Sequence, residues 1–321
     1  MGDHRGKSPG GSPRPATPNP IPWIDAPDPF RLQNIDLLRT KLFVGVANVG
    51  FDGNYKKFHK LSLSILREFG FGIRQTMDTR ISLEVREIID YVNTKNGEPF
   101  DPEEMSLQAS ANVGLSILFN KRDPYDKGLS KFCKLAVQTI DSGEMVVELF
   151  PWLRFIPPFS SRLKRPMALS AELMELLEQL VKGIRAGETD ECFVSRYLEK
   201  EGPNYDHEQL MFTLRDLALG ATDTTANTLL WTFLFLANNQ SVQQRLQKNI
   251  DEVVPRDKLP LFEDKSKLTY LDATILEVLR LRTLVPLAVP HRTLNDSELS
   301  GFFISAGTTV SFTISVFLNI S

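Results

Sequence analysis

A stretch with the spacing of a long helix dominates the chain between residues 206 and 237. It contains no proline, and Asp206 followed three residues later by Gln209 predicts a helix start of the capping-box kind. At a rise of 1.5 Å per residue, these 32 residues predict a rod of roughly 48 Å, long enough to cross a whole domain. Its second half is apolar on nearly every side, so we expect that half to be buried.

A polar patch interrupts this predicted helix near its middle. The residues that share one helical face, at the spacing i, i+3, i+4 and i+7, are Gly220, Asp223, Thr224 and Asn227. A carboxylate beside a hydroxyl, just after a Gly-Ala pair that lets a ligand approach the backbone, favours a functional site. The structural alternative is that each hydroxyl only bonds the carbonyl four residues back. This stretch by itself leaves both interpretations open.

Other helical patterns lie on both sides of the central stretch. They span residues 55–67, 77–93, 102–119, 130–138, 164–186, 188–199, 239–254 and 269–282, with Asn239 as the expected cap of the seventh. Residues 150–158, rich in aromatic side chains and proline, predict a loop, and residues 41–47 a short strand or loop. A β-branched run predicts a strand over 308–316. The whole pattern indicates a mainly α protein with a small β element late in the chain.

Composition adds a domain boundary and excludes some partners. Residues 1–31 are rich in Pro, Gly and Ser, which predicts a disordered arm before the folded residues 32–321, and a length of 321 residues suggests about two domains or one large one. Apolar residues make up 42% of the chain, enough for a sizeable core. A net charge of −3 gives no basic field, so we expect no nucleic-acid partner. The longest apolar run, 229–237, is too short to span a bilayer, and we expect no membrane anchor in this chain.

The two cysteines, Cys133 and Cys192, lie far apart in the sequence. Neither belongs to a CxxC pair or to a zinc-ligand spacing, so we expect neither a metal site nor a disulfide framework. This cysteine usage fits a reducing compartment.

Three landmarks then follow one another in a specific order. They are LGATDTT at 219–225, the E-x-x-R formed by Glu277 and Arg280, and VPLAVPHRT at 285–293 followed by GFFISAGTTV at 301–310. Each motif alone is weak, but the order and spacing are specific. Together they resemble the cytochrome P-450 family of haem-thiolate monooxygenases, in particular its microsomal clan of drug- and steroid-hydroxylating enzymes. The resemblance covers about residues 42–318.

This resemblance implies a fold and an activity. The implied fold is a partial cytochrome P-450 fold, mainly α with a small β element, and we expect it to lack the C-terminal Cys-ligand region and the N-terminal anchor. The implied activity is haem-dependent monooxygenation of a small apolar substrate such as a steroid, a fatty acid or a xenobiotic. Electrons would come from NADPH through a separate cytochrome P-450 reductase. The implied location is the cytosolic face of the endoplasmic reticulum membrane.

The resemblance also implies roles on the central helix. Gly220, Ala221 and Thr224 correspond to positions that approach haem, and Thr224 would hydrogen-bond the iron-bound dioxygen species. Asp223 would help to pass protons, because cleaving the O–O bond needs proton delivery without free water. We therefore expect Asp223 and Thr224 on a concave side that faces a cavity. The family usually has glycine where this chain has Ala221, so we expect that methyl group to narrow the approach to haem.

Further positions are implied around the cofactor. His291 matches a position that contacts a haem propionate, although a lone histidine is often a plain structural residue. Tyr55 and His59 stand where the family offers Trp and Arg to the propionates, and both are weaker donors than Arg. Glu277 and Arg280 would form a buried structural ion pair, and the alternative is an exposed pair worth a few tenths of a kcal/mol.

The remaining questions concern partners and the iron ligand. Lys56 and Lys60 lie on the helix side that faces the reductase in the family, or else on a solvated face. The family's ligand is a Cys in an F-x-x-G-x-R-x-C-x-G loop, and neither Cys133 nor Cys192 has that context. We therefore expect this chain to be inactive alone. One alternative is a non-catalytic helical binding protein derived from the fold, and another is an unrelated all-α enzyme that uses metal-bound diphosphate. The latter needs Asp-rich D-D-x-x-D clusters, which the sequence lacks.

Overall fold

The computed structural model describes residues 53–71, 74–125, 128–141, 151–187, 191–288, 291–311 and 313–314. The expected arm at 1–31 and the expected strand or loop at 41–47 lie outside these residues.

Helices form most of the described chain. They are α1 (Gly53–Glu68), α2 (Arg74–Asn93), α3 (Glu103–Phe119), α4 (Lys131–Asp141), α5 (Phe159–Arg162), α6 (Lys164–Arg185), α7 (Phe193–Glu201), α8 (His207–Asn238), α9 (Gln240–Val253) and α10 (Thr269–Leu281). Short 3-10 helices span Pro151–Phe155 and Phe262–Ser266. The strands are β1 (His291–Arg292), β2 (Ser297–Leu299), β3 (Phe302–Ile304) and β4 (Thr309–Val310). The prediction of a mainly α fold with a small β element is confirmed.

The long central helix is α8. Its start is capped as predicted, because the carboxylate of Asp206 accepts the backbone N–H of Gln209 at 2.9 Å. The Gln209 side chain donates to the hydroxyl of Thr213 at 3.3 Å, so it does not close a capping box. The stretch contains no proline, and its one glycine, Gly220, does not interrupt the helix. Helix α8 therefore runs for 32 residues.

The hydrophobic core lies against the first half of α8. Leu210 and Leu214 are fully buried there, together with Leu173 and Leu177 of α6. Helices α3, α4 and α6 all pack against α8, and α3 makes the most extensive contact. Fully burying a leucine side chain contributes about 1.5–3 kcal/mol, so this cluster is the main source of stability in the helical layer.

The second half of α8 is less buried than its apolar sequence predicts. Phe233 and Leu234 are 40% and 49% exposed, whereas the buried positions of α8 run from Leu210 to Ala226. The expectation that this half is buried is therefore wrong for the described residues. An apolar helix is buried only where other elements cover it. On this half of α8, the guanidinium of Arg282 lies 4.5 Å from the centre of the Trp231 ring.

The small β element consists of two antiparallel pairs. Strand β1 pairs with β4, with His291 opposite Val310, and β2 pairs with β3 in a hairpin. The hairpin turns at Ser300 and Gly301, which have φ angles of 53° and 85°. Of the strand expected at 308–316, the described residues place Thr309–Val310 in the ladder, and residues 312 and 315–316 lie outside the described residues. The hydroxyl of Ser311, just after β4, donates to the carbonyl of Leu287.

Two local predictions also need correction. The expected loop at 150–158 contains a 3-10 helix at Pro151–Phe155. Asn239 was expected to cap α9, but its side-chain amide donates to the carbonyl of Phe235 at 2.8 Å and so closes the end of α8. None of the described helices is both long and apolar enough to cross a membrane.

Candidate functional site

The polar face of α8, defined by Gly220, Asp223, Thr224 and Asn227, is one open surface. The side-chain amide of Asn227 donates to the Asp223 carboxylate at 2.8 Å and to the Asp223 carbonyl at 3.1 Å. A Cβ placed on Gly220 meets no atom within 4 Å. The structure thus brings a carboxylate, a hydroxyl and a side-chain-free backbone position together, with space in front of the glycine.

The expectation that Thr224 faces an enclosed cavity is wrong for the described residues. Thr224 is exposed and Asp223 is half-buried. The packed helices cover the opposite side of α8, where Ala218, Thr222 and Ala226 are fully buried. The polar face therefore points away from the core.

The threonines of this stretch bond their own helix. Thr222 donates to the carbonyl of Ala218 at 2.8 Å and Thr224 to that of Gly220 at 3.0 Å. For the buried Thr222 this back-bonding is the structural role foreseen as an alternative. The exposed Thr224 hydroxyl is different, because it keeps free acceptor capacity and can rotate toward a bound group.

The Asp223 carboxyl has an unusual environment. Its partial burial raises its pKa above the ordinary value, the negative charge of Asp141 at the end of α4 raises it further, and the hydrogen bond from Asn227 acts in the opposite direction. A carboxyl with a raised pKa retains its proton at a higher pH than an exposed aspartate does. This is the property that a proton-transferring group needs.

The Ala221 side chain lies on a different side of α8 from the polar face. A Cβ placed on Gly114 of α3 would lie 2.9 Å from the Ala221 Cβ, so the methyl group fills a hollow on α3. The Ala221 carbonyl accepts the hydroxyl of Ser110 at 2.6 Å. The methyl therefore lies against α3, and the expectation that it narrows the approach to haem stays a prediction.

The other predicted cofactor contacts lie on separate elements. His59 is half-buried on α1, which packs against α7, and the side chain of Tyr55 is not among those described. His291 is half-buried in β1 beside β4. Since α8 packs mainly against α3, α4, α6, α9 and α10, element packing does not join these residues to the polar face. Their roles stay predictions.

Glu277 and Arg280 form the expected ion pair, but the pair is not buried as expected. Two hydrogen bonds of 2.7 Å join the guanidinium to both carboxylate oxygens, and they lower the pKa of Glu277 and raise that of Arg280. The side chains are 54% and 32% exposed, because α10 buries Val278 instead. The expectation of a buried pair is therefore wrong for the described residues.

Sequence reasoning missed a buried polar cluster around Glu84. This carboxylate is 3% exposed, bonds the guanidinium of Arg122 and accepts the hydroxyl of Tyr125 at 2.8 Å and the amide of Asn112 at 3.2 Å. It ties α2 and α3 to the segment before α4. No local signal could have found it, because the partners of Glu84 are 28 to 41 residues away.

Because the iron ligand of the family is a Cys, the fit of the described residues to a haem-thiolate site depends on the two cysteines. Cys133 and Cys192 are both fully buried in the core. Burial, with a smaller effect of Asp123, raises the pKa of the Cys133 thiol to about 12, whereas an iron ligand must be a thiolate. Among the residues with described positions, no group of three or more His, Cys, Asp or Glu could hold a metal ion. The polar face offers a carboxylate and a hydroxyl beside an open backbone position, whereas neither cysteine fits an iron ligand.

Comparison with known proteins decides the family. The family model for cytochrome P-450 matches residues 47–319, which is most of the chain. The chain belongs to the cytochrome P-450 family. It is 31% identical over 287 residues to cytochrome P-450 2U1 of Rattus norvegicus, an alignment that covers 83% of this chain and 53% of the relative. It is 30% identical over 273 residues to cytochrome P-450 2E1 of Mesocricetus auratus, with coverages of 80% and 54%.

Family membership confirms the coarser predictions. The cytochrome P-450 family consists of haem-iron monooxygenases, so the chain belongs to a family of oxidoreductases, and its fold is part of the family's mainly α fold. The chain spans about half the length of the curated relatives it matches.

Proposed function

We propose that this chain supplies the distal side of a haem-dependent monooxygenase, which inserts one atom of O2 into a small apolar organic substrate. The observation that carries the proposal is the polar face, where Asp223 and Thr224 stand beside the open backbone of Gly220. This face lies within the segment that matches the family. Haem, when bound, supplies the iron chemistry that activates O2.

The residues of the chain supply proton control on this face. Asn227 fixes one oxygen of the Asp223 carboxylate through its 2.8 Å bond, so the second oxygen is available to carry a proton. The hydroxyl of Thr224 lies one helical turn from Gly220 and can rotate to donate into the open space. Proton delivery by a positioned acid typically contributes 10²–10⁴-fold to a rate.

The same proposal covers substrate, electron donor and location. The substrate class is a small apolar molecule such as a steroid, a fatty acid or a xenobiotic, and electrons come from NADPH through cytochrome P-450 reductase. The exposed Lys56 and Lys60 on α1 are the proposed reductase contacts, and His59, Tyr55 and His291 the proposed propionate contacts. The proposed location is the cytosolic face of the endoplasmic reticulum membrane, which fits the family match.

A second candidate function is non-catalytic binding of apolar ligands. It is favoured by one observation, the burial of both thiols in the core, which leaves neither Cys133 nor Cys192 available as an iron ligand. In that case the apolar side chains near α8 and α10 bind the ligand without haem chemistry.

Titration with hemin tests the proposed distal site. We expect stoichiometric hemin binding by the purified chain, followed by its Soret absorption. Gly220→Leu fills the open space and should weaken hemin binding by at least about tenfold, or 1.4 kcal/mol. The control is Ala237→Leu, which places the same side chain at an exposed position of the same helix. Equal hemin affinity in both variants, or no hemin binding by the parent chain, would contradict the proposed site.

A further inference from the structure

We propose that Ser110 and Gly114 of α3 form a seat that positions the polar face of α8, which makes Ser110 a positioning residue for the chemistry of Asp223 and Thr224. The contact itself is a feature of the fold. Its consequence for catalysis rests on the proposed function above.

The seat consists of two groups that hold the same residue of α8. Ser110 and Gly114 are one helical turn apart and so share one face of α3. The Ser110 hydroxyl, in a side chain that is 4% exposed, donates to the Ala221 carbonyl at 2.6 Å. At Gly114 a methyl group would lie 2.9 Å from the Ala221 Cβ, closer than real Cβ atoms approach. There is room at this crossing for one methyl group, and α8 supplies it.

Holding Ala221 fixes the direction of the polar face. Successive residues of an α-helix are rotated by about 100° around its axis. With the Ala221 methyl directed at α3, Asp223 lies about 160° and Gly220 about 100° away from it around the axis, so most of the polar face is turned away from α3. A rotation of α8 would also move Asp223 relative to Asp141 on α4, the charged group that acts on it from another helix.

The seat also lies in a stretch of α8 whose backbone carbonyls accept hydrogen bonds from side chains. The carbonyls of Gly220, Asp223 and Thr224 each accept a second hydrogen bond from a side chain of α8 itself. Helices with such extra donors bend more readily. The carbonyl of Ala221 accepts its extra hydrogen bond from Ser110 of α3 instead, so this bond anchors the stretch to the helix that makes the most extensive contact with α8.

A reciprocal exchange of the methyl group tests the crossing. Gly114→Ala puts two methyl groups in the space of one and should lower the melting temperature by about 5 °C or more. The double variant Gly114→Ala/Ala221→Gly moves the methyl to α3 and should return to within about 2 °C of the parent, because the helix propensities of the two changes cancel. A double variant that melts no higher than Gly114→Ala would overturn the seat.

Removal of the hydroxyl tests positioning. Ser110→Ala is compared with Ser116→Ala, a control on the same helix whose hydroxyl donates only to the Val113 carbonyl at 2.8 Å. Carboxyl NMR follows the titration of Asp223, with the signal assigned by its loss in Asp223→Asn. Amide hydrogen exchange follows residues 220–228. Neither measurement uses hemin, so failure of haem binding leaves this result intact.

The expected outcome is specific to Ser110. In Ser110→Ala, Asp223 becomes more hydrated, so its pKa falls toward that of an exposed aspartate, and exchange over 220–228 becomes faster by at least about tenfold. Ser116→Ala changes neither, and Ser110→Thr, which keeps the hydroxyl, restores the parent values. If Ser110→Ala lowers the melting temperature but leaves the Asp223 midpoint and the exchange unchanged, Ser110 only packs, and the positioning role is overturned.

Discussion

At the scale of single residues, the proposed proton transfer depends on the carboxyl group of Asp223. Its carboxylate is half-buried beside Asp141 and keeps one hydrogen bond, from Asn227. Both burial and the neighbouring charge oppose ionisation, so the folded state holds this proton more tightly than the unfolded chain does. Ionised Asp223 therefore destabilises the fold, and its proton is better retained in the folded protein.

The pH dependence of stability tests this interpretation. A raised pKa contributes stability below the unfolded value, about 3.9 for aspartate, and this contribution is lost as the pH rises through the folded value. Asp223→Asn should therefore melt above the parent at pH 7 and close to it near pH 4, since the amide can still accept from Asn227. Melting curves between these pH values measure the difference. A constant offset at every pH, or a lower melting temperature at pH 7, would contradict the raised pKa.

Sequence reasoning worked best for residues whose neighbours are local. The Asp206 cap and the shared face of Asp223 and Thr224 follow from spacings of three and four residues, and the structure contains both. The seat for Ala221 depends on Ser110, which lies 111 residues away, and helical spacing carries no information about that partner. For this reason the direction of the Ala221 methyl could not be predicted.

At the scale of elements, two ion pairs differ in burial. One is Glu277–Arg280 on α10, and the other joins Glu84 of α2 to Arg122. Glu277 and Arg280 face solvent on α10, so water competes for both groups. Glu84 of α2 is buried. Its removal leaves the Tyr125 hydroxyl without this acceptor and takes one of two acceptors from the Asn112 amide, which also donates to the Asp123 carbonyl. Exposed pairs typically contribute less than about 1 kcal/mol, whereas breaking a buried pair costs several.

A comparison of two alanine variants tests the contrast. Glu84→Ala should lower the free energy of unfolding by about 2–4 kcal/mol, less than the full buried-pair value because Arg122 is partly exposed. Glu277→Ala should change it by about 0.5 kcal/mol or less. Urea unfolding of the two variants measures both values. If Glu277→Ala costs as much as Glu84→Ala, other residues bury the α10 pair in solution.

The element boundaries show the limits of pattern reasoning. Most of the described helices were predicted to within a few residues because apolar spacing and caps are local, but α5 was missed and α7 begins at Phe193, after the predicted start at 188. The exposure of the second half of α8, of Thr224 and of the Glu277 pair depends on which other elements cover them, and amphipathicity does not encode that. The β2–β3 hairpin was missed because its strands are only three residues long.

At the scale of the whole molecule, apolar side chains lie exposed on α8, α10 and β3. Leu276 is 61% exposed, Leu234 49%, and Phe302 and Phe303 of β3 more than 70%. Exposed apolar side chains that lie near one another favour self-association. We expect the purified chain to associate at micromolar concentration, and Leu234→Gln/Leu276→Gln to reduce this, as measured by light scattering. The control is Ile81→Gln/Ile89→Gln on α2. An equal reduction by the control pair would show that no particular surface is responsible.

The central claim is that this member of the cytochrome P-450 family holds the distal side of a haem site while its two thiols are held in the core. The most direct measurement is the carbon monoxide difference spectrum of the reduced chain with hemin. The claim predicts no spectrum of the thiolate type, because Cys133 and Cys192 are fully buried and burial disfavours the Cys133 thiolate. A thiolate-type spectrum that disappears in Cys133→Ala or Cys192→Ala would contradict the account, since one core cysteine would then be the iron ligand.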